Sequence, residues 1–235
     1  MCGRFNVSED PVAKFFMDFA GLEFTGVENF NTAPTESTAI IRSDSDDRLA
    51  AVMSQWWLVP RWSREPKTRF QTFNARSETV AKARSFKQCF EQRRCIVPIT
   101  GYYEWKNNNG VKVPYYVKPS DGSTLVVAGL WDRWVGTLPD KSSLESFTIL
   151  TTSASAGLDF LHARQPVMLA DQEAHEWLDL KERPSDMGRF FTGHRPKTLS
   201  VTPVSTYVGN SRHKNPTCME AVGASIEIES AVLMG

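Results

Sequence analysis

Apolar positions recur at helical spacing in only a few stretches of this chain. Val12, Phe15, Phe16 and Phe19 follow Ser8, Glu9 and Asp10 and precede Gly21. A serine and two acids before a 3.6-residue apolar stripe, with glycine after it, predict a helix capped by Ser8 whose stripe is core. Further helices are predicted at about 78–92 and 172–180. The remaining apolar segments are short and rich in β-branched and aromatic residues: Thr38–Arg42, Leu49–Leu58, Cys95–Trp105, Pro114–Lys118, Leu125–Trp134, Phe147–Thr152, Pro166–Leu169 and Leu199–Val204. Turn signals such as Asn107-Asn108-Asn109-Gly110 and Asp121-Gly122 separate them, so they read as strands. Strands outnumber helices without a βαβ rhythm. The expected architecture is α+β, one domain over 1–235, with a strongly curved, mainly antiparallel, barrel-like sheet and a few flanking helices.

Composition adds limits. The 235 residues, 41% hydrophobic, can bury a substantial core, and no Gly/Ser-rich or charged linker divides them. No apolar run approaches the roughly 20 residues of a membrane span, and no signal-peptide core follows Met1, so a cytosolic protein is expected. The four cysteines, at 2, 89, 95 and 218, form no CxxC pair. Neither a zinc site nor a disulfide framework is suggested, and no cofactor is implied; Cys89 and Cys95 read as core or semi-buried. The formal net charge of zero argues against a general nucleic-acid coat protein. Its distribution is more informative. Arg61, Arg64, Lys67, Arg69, Arg76, Lys82, Arg84, Lys87, Arg93 and Arg94 crowd one quarter of the chain and interleave with Trp56, Trp57, Trp62, Phe70 and Phe73, whereas Asp44, Asp46 and Asp47 sit in a turn. Cations beside aromatics suit single-stranded nucleic acid, with bases stacked on rings and phosphates neutralised; the same rings also suit a core.

The opening Met1-Cys2-Gly3-Arg4-Phe5 carries the sharpest chemistry. Removal of Met1 would leave a 1,2-aminothiol, whose amine condenses with an aldehyde and whose thiol closes onto the imine carbon as a thiazolidine. Unperturbed pKa values of roughly 8 for the amine and roughly 8.5 for the thiol leave a usable fraction of both nucleophiles at neutral pH. Glu104, between Tyr103 and Trp105, either faces water or lies in an apolar pocket suited to acid/base work. Asn74, between an aromatic strand end and a helix start, reads first as a cap or turn former. His162 could orient, protonate or simply hydrogen-bond.

Eight segments in one order resemble the SOS-response-associated peptidase family, also called SRAP or abasic-site processing proteins: Met1-Cys2-Gly3-Arg4-Phe5, Phe30-Asn31-Thr32-Ala33-Pro34, Trp57-Leu58-Val59-Pro60-Arg61-Trp62, Phe73-Asn74-Ala75-Arg76-Ser77-Glu78-Thr79, Gly101-Tyr102-Tyr103-Glu104-Trp105, Thr151-Thr152-Ser153-Ala154, His162-Ala163-Arg164-Gln165-Pro166-Val167-Met168-Leu169, and Val204-Ser205 with Val208-Gly209-Asn210. The chain departs from the family pattern where Trp57-Leu58 replaces a glycine-containing step and where Gln165 separates Arg164 from Pro166.

The resemblance implies a monomer of this fold that captures abasic sites in single-stranded DNA as a cross-link to mature Cys2. It implies proton transfer by Glu104, hydrogen bonds from Asn74 to the amine and sugar, and contacts from His162 to sugar oxygens or the 3′ phosphate. Arg4, Arg76 and Arg84 would clamp phosphates, Pro34, Trp57 and Trp62 would wedge or stack at the lesion, and Thr151 would add a hydrogen bond to the sugar. The alternative is a cysteine-type (auto)peptidase, or a lyase-like activity, with Cys2 as nucleophile and Glu104 or His162 as base.

Overall fold

The computed structural model describes residues 2–44, 46, 48–136 and 142–231. In chain order it contains β1 (Arg4–Val7), α1 (Glu9–Ala20), β2 (Asn29–Thr32), β3 (Ser37–Ser43), β4 (Leu49–Trp56), β5 (Asn74–Arg76), α2 (Lys87–Gln92), β6 (Arg94–Ile99) and β7 (Gly101–Asn108). There follow β8 (Val111–Pro119), β9 (Leu125–Val135), β10 (Ser143–Ser153), β11 (Arg164–Pro166), β12 (Met168–Leu169), α3 (Asp171–Leu178), β13 (Leu199–Pro203) and β14 (Ile226–Ile228).

Strands β4, β3, β6 and β9 pair in that order, and β10 bonds both β9 and β4, closing a five-stranded barrel. A second sheet runs β14-β13-β8-β7-β1-β2. Most pairings are antiparallel; β10 meets β4 and β5 in parallel. Closure removes exposed edges and buries both ends of the apolar runs, so Ile40, Ile41, Ile96, Val97, Val127, Leu130, Phe147 and Ile149 are fully enclosed. The expected α+β, barrel-like, mainly antiparallel architecture is the one observed.

Several boundaries differ from the sequence expectation. The run Cys95–Trp105 is two strands, because the chain leaves the barrel at Thr100, whose N–H donates to Asn6 O at 2.9 Å, and enters the second sheet at Gly101. A Cβ on Gly101 would lie 2.5 Å from Val117 O, so only glycine admits this close crossing. Pro166–Leu169 likewise splits at Val167: β11 pairs with β10 and β12 with β9. The helix expected over about 78–92 forms only as α2, since Ser77 N–H is tied to Thr151 O on the barrel and the segment up to Phe86 runs through turns. Ser8 does not cap α1. Its hydroxyl donates to Asn6 Oδ1, and Glu28 Oε2 instead accepts from Glu9 N–H at 3.1 Å. Gly21 does end α1 in the left-handed conformation. Asp44 and Asp46 lie in the β3–β4 turn, and Asp47 falls outside the described residues.

Candidate functional site

β1 runs antiparallel to β7 with Arg4 opposite Tyr103 and Phe5 opposite Tyr102. Cys2 and Gly3 precede β1 and are not bound by its alternation. Side chains alternate along a strand, so Glu104 shares a face with Tyr102, which packs in the main core with Cys2, whereas Tyr103 points into a second cluster. The strand thus delivers a carboxylate to the cysteine's side. Cys2 is 1% exposed and Glu104 6%, which places Glu104 in the pocket rather than in water; its Oε1 accepts from Trp105 N–H at 3.2 Å. Burial, and then the negative charge of Glu104, push the Cys2 thiol well above its ordinary range. The sulfur is therefore a protonated thiol at neutral pH, its S–H directed at Arg4 O, 3.7 Å away.

Asn74 is neither a cap nor a turn residue. It opens β5, where parallel pairing with β10 sets it beside Ile149 and turns Nδ2 toward Cys2, whose carbonyl accepts from it at 2.7 Å. The other end of that amide, Oδ1, is buried and has no donor among the described residues. One strand further on, β10 also carries Thr151, opposite Pro166 of β11, and Ser153 opposite Arg164. Arg164 organises this corner: its guanidinium holds Glu78 through two bonds of 2.9 and 3.0 Å, its Nε donates to Thr151 Oγ1 at 3.1 Å, and its backbone N–H donates to His162 Nδ1 at 3.0 Å. A neutral His162 so held carries its proton on Nε2. The side-chain bond from Arg164 holds the Glu78 carboxyl below the usual carboxylate range. Thr151 is fully buried and its hydroxyl lies between Arg164 and Ala75 O, so it supports Arg164 rather than facing outward. Sequence reasoning assigned Arg164 no role; the only signal was an arginine that the fold sets across from Glu78.

Around this corner the aromatics divide. Trp56 is core, its Nε1 donating to Phe73 O. Trp57 is half-buried against Phe73 and donates to Thr68 Oγ1, while Trp62 and Phe70 are 44% and 53% exposed. The Arg84 guanidinium lies over the Trp62 ring at 4.3 Å. Arg76 and Arg84 are exposed. Arg93 and Arg94, counted with the basic stretch from sequence, are internal: Arg93 pairs with buried Asp132, and Arg94, pushed down to about 10 by burial, donates to the carbonyls of Phe90, Trp177, Asp179 and Glu182. Arg4 is likewise engaged within the fold, donating to Asn31 Oδ1 and to the carbonyls of Val208 and Gly209. Pro34 begins a turn closed by the Glu36 N–H bond to Ala33 O, and Thr35 follows at φ 79°, a costly conformation for a β-branched residue that paired bonds to Trp56 hold in place.

The sequence model of the family described as SOS response associated peptidase (SRAP) matches residues 1–211. The abasic site processing protein YoqW of Bacillus subtilis is 29% identical over 227 residues, covering 94% of this chain and all of the relative. The abasic site processing protein HMCES of Xenopus tropicalis is 31% identical over 224 residues, 83% of this chain and 66% of the relative. Among solved structures, a protein from Bacteroides thetaiotaomicron superposes with a TM-score of 0.79 at 24% identity, over 94% of this chain and 100% of that one. That last likeness establishes the fold alone.

Proposed function

The chain belongs to the SOS response associated peptidase family, and from that premise we propose that it processes abasic sites in single-stranded DNA, capturing the C1′ aldehyde with the α-amine and thiol of Cys2 once Met1 is removed. The names of its relatives support the substrate class. The observation that carries the reading is the burial of Cys2 with Asn74 and Glu104, one fixing its carbonyl and the other a buried carboxylate close enough for its charge to act on the thiol.

The sequence of steps follows from those positions. The amine nitrogen attacks C1′, and Glu104 relays to the oxygen, one after the other, the two protons that the nitrogen loses, so that the oxygen leaves as water and the imine forms. The thiol sulfur then bonds to C1′ as its proton passes, through the same carboxylate, to the nitrogen, closing the thiazolidine. Overall one aldehyde, one amine and one thiol give one ring and one water. Asn74 Oδ1 is an acceptor for the amine or a sugar hydroxyl, and His162 offers its Nε2 proton to a sugar oxygen or phosphate. Arg76, Arg84 and Trp62 form the strand-binding face, with Pro34 as wedge. A peptidase would need only the Cys2 sulfur, with Glu104 or His162 as base, whereas thiazolidine formation needs the α-amine as well.

Intact mass spectrometry before and after incubation with single-stranded DNA carrying one abasic site tests this. The expected product is protein lacking Met1 plus DNA minus one water, absent from Cys2→Ala. A heat-stable adduct formed by Cys2→Ala, or by a form keeping residues ahead of Cys2, would overturn the mechanism.

A further inference from the structure

A second concave site lies at the other end of β1 from Cys2. There α1, α3 and the turn between β8 and β9 border a groove of about 600 Å³. Its wall is a run of three nearly parallel rings: Phe15 stacks on Phe19 at 5.0 Å and 17°, and Phe19 on His175 at 4.0 Å and 14°. Phe15 and Phe19 are only half-buried and His175 is exposed, although the rest of the α1 stripe, Val12 and Phe16, is core. The groove is rigidly framed, because Thr124 Oγ1 donates to Pro11 O at 2.8 Å and ties the turn to α1.

The charges in the groove sort into two sets. Lys14 is paired with Asp18, Lys197 donates to Ser123 Oγ and Thr124 O, and Asp121 accepts from Ser123. Asp10 and Asp171, in the first turns of α1 and α3, are exposed and have no hydrogen-bonded or ionic partner among the described residues. The groove therefore combines aromatic faces with two uncommitted carboxylates, the combination that attracts a planar cation and repels a phosphate backbone. It is opposite in sign to the face formed by Arg76, Arg84 and Trp62.

We propose that this groove docks a basic segment of a partner protein, an arginine lying on the Phe15–Phe19–His175 rings with its guanidinium on Asp10 or Asp171. Since it lies away from Cys2, it binds whether or not the site is occupied. The occupant's class follows from charge complementarity, which sets orientation and encounter rate more than raw affinity, so binding is salt-sensitive.

The probe is a fluorescein-labelled hexapeptide in which two arginines flank a tryptophan, alongside the same peptide with glutamates for the arginines, titrated at low salt against the whole chain with amide shifts followed by NMR. The basic peptide is expected to bind and to shift Phe15, Phe19 and His175, the acidic one to do neither. Asp10→Asn with Asp171→Asn, which removes whichever carboxylate the guanidinium meets, should weaken binding by about tenfold or more. His175→Lys, an exposed change that adds a cation to the ring stack, should do the same if the double variant proves unstable. Cys2→Ala should bind as the parent does, which keeps this outcome separate from that of the cross-linking reaction. Equal binding of both peptides, shifts confined to the face around Trp62, self-association through the groove, or unchanged affinity in the variants would each overturn the proposal.

Discussion

At the scale of single residues, the site depends on a strand register that no local pattern announces. Glu104 was legible as a carboxylate among aromatics, but its side was undecided until β1 paired with β7 and brought it to Cys2. The local pattern around Asn74 reads as a turn for the same reason: its place beside Cys2 is set by pairing with β10, some seventy residues away in sequence. Glu104 is the residue whose chemistry is most separable from its structural part, because glutamine keeps its shape and its bond to Trp105 N–H. Glu104→Gln should slow single-turnover cross-linking by roughly 10²- to 10⁴-fold, the usual range for a lost general acid/base, while affinity for intact single-stranded DNA barely changes. An aldehyde substrate already ring-opened should recover part of the rate. Rates within about twofold of the parent would return Glu104 to a purely structural role and make His162 the next candidate.

Among elements, the long periodic ones were readable from sequence and the short ones were not. α1, β3, β4, β8, β9, β10 and α3 follow from stripes or β-rich runs that bury enough area to fix themselves. β1, β2, β5 and β14 are three or four residues each and exist because a neighbour offers an edge, so they carry no pattern of their own. The segment from Val59 to Thr72 shows how such a piece is held. Val59 N–H donates to Ser146 Oγ, Arg61 donates to Asp132 through both its backbone N–H and Nε at 2.9 Å, and Trp134 Nε1 donates to Ser63 O. Asp132 also pairs with the buried Arg93, so Asp132→Asn should cost on the order of 3 kcal/mol in urea unfolding. The same variant should bind single-stranded DNA several-fold more weakly, yet react at the parental rate once saturated; a lower saturated rate would mean the loop acts at Cys2 itself. A second anchor is Glu173. Burial opposes its charge, but bonds from His194 and from the Ala170 N–H at 2.7 Å prevail and hold its carboxyl below the usual range. A depressed carboxylate stabilises the fold above its unfolded pKa, about 4.3, and that contribution disappears as pH falls through the folded value. Glu173→Gln should therefore lower the melting temperature near neutrality and flatten its fall below about pH 4; an unchanged acid limb would show that the pair contributes nothing.

Taken whole, the molecule is neutral only as a sum. The folding of the basic quarter separates its arginines by role: Arg93 and Arg94 go inward to hold Asp132 and four carbonyls, Arg76 stays exposed, and Arg84, Arg64 and Arg69 remain at the surface beside Trp62 and Phe70. Sequence counting could not make that division, since burial of an arginine depends on distant carbonyls and carboxylates converging on it. It matters for binding, because only exposed cations release counterions from a strand. Affinity for single-stranded DNA should fall with a log–log salt slope of about −0.7 per phosphate neutralised. Arg76→Ala should reduce the slope's magnitude by about that amount and weaken binding alike for every sequence, whereas Asp10→Asn on the opposite groove should leave it unchanged. Fully paired duplex should bind poorly, because Trp62, topped by Arg84, offers a stacking surface only to an unpaired base. Fluorescence anisotropy across a salt series measures all three. An affinity flat with salt would mean that the exposed arginines are a solvated face, and that the strand reaches Cys2 by another route.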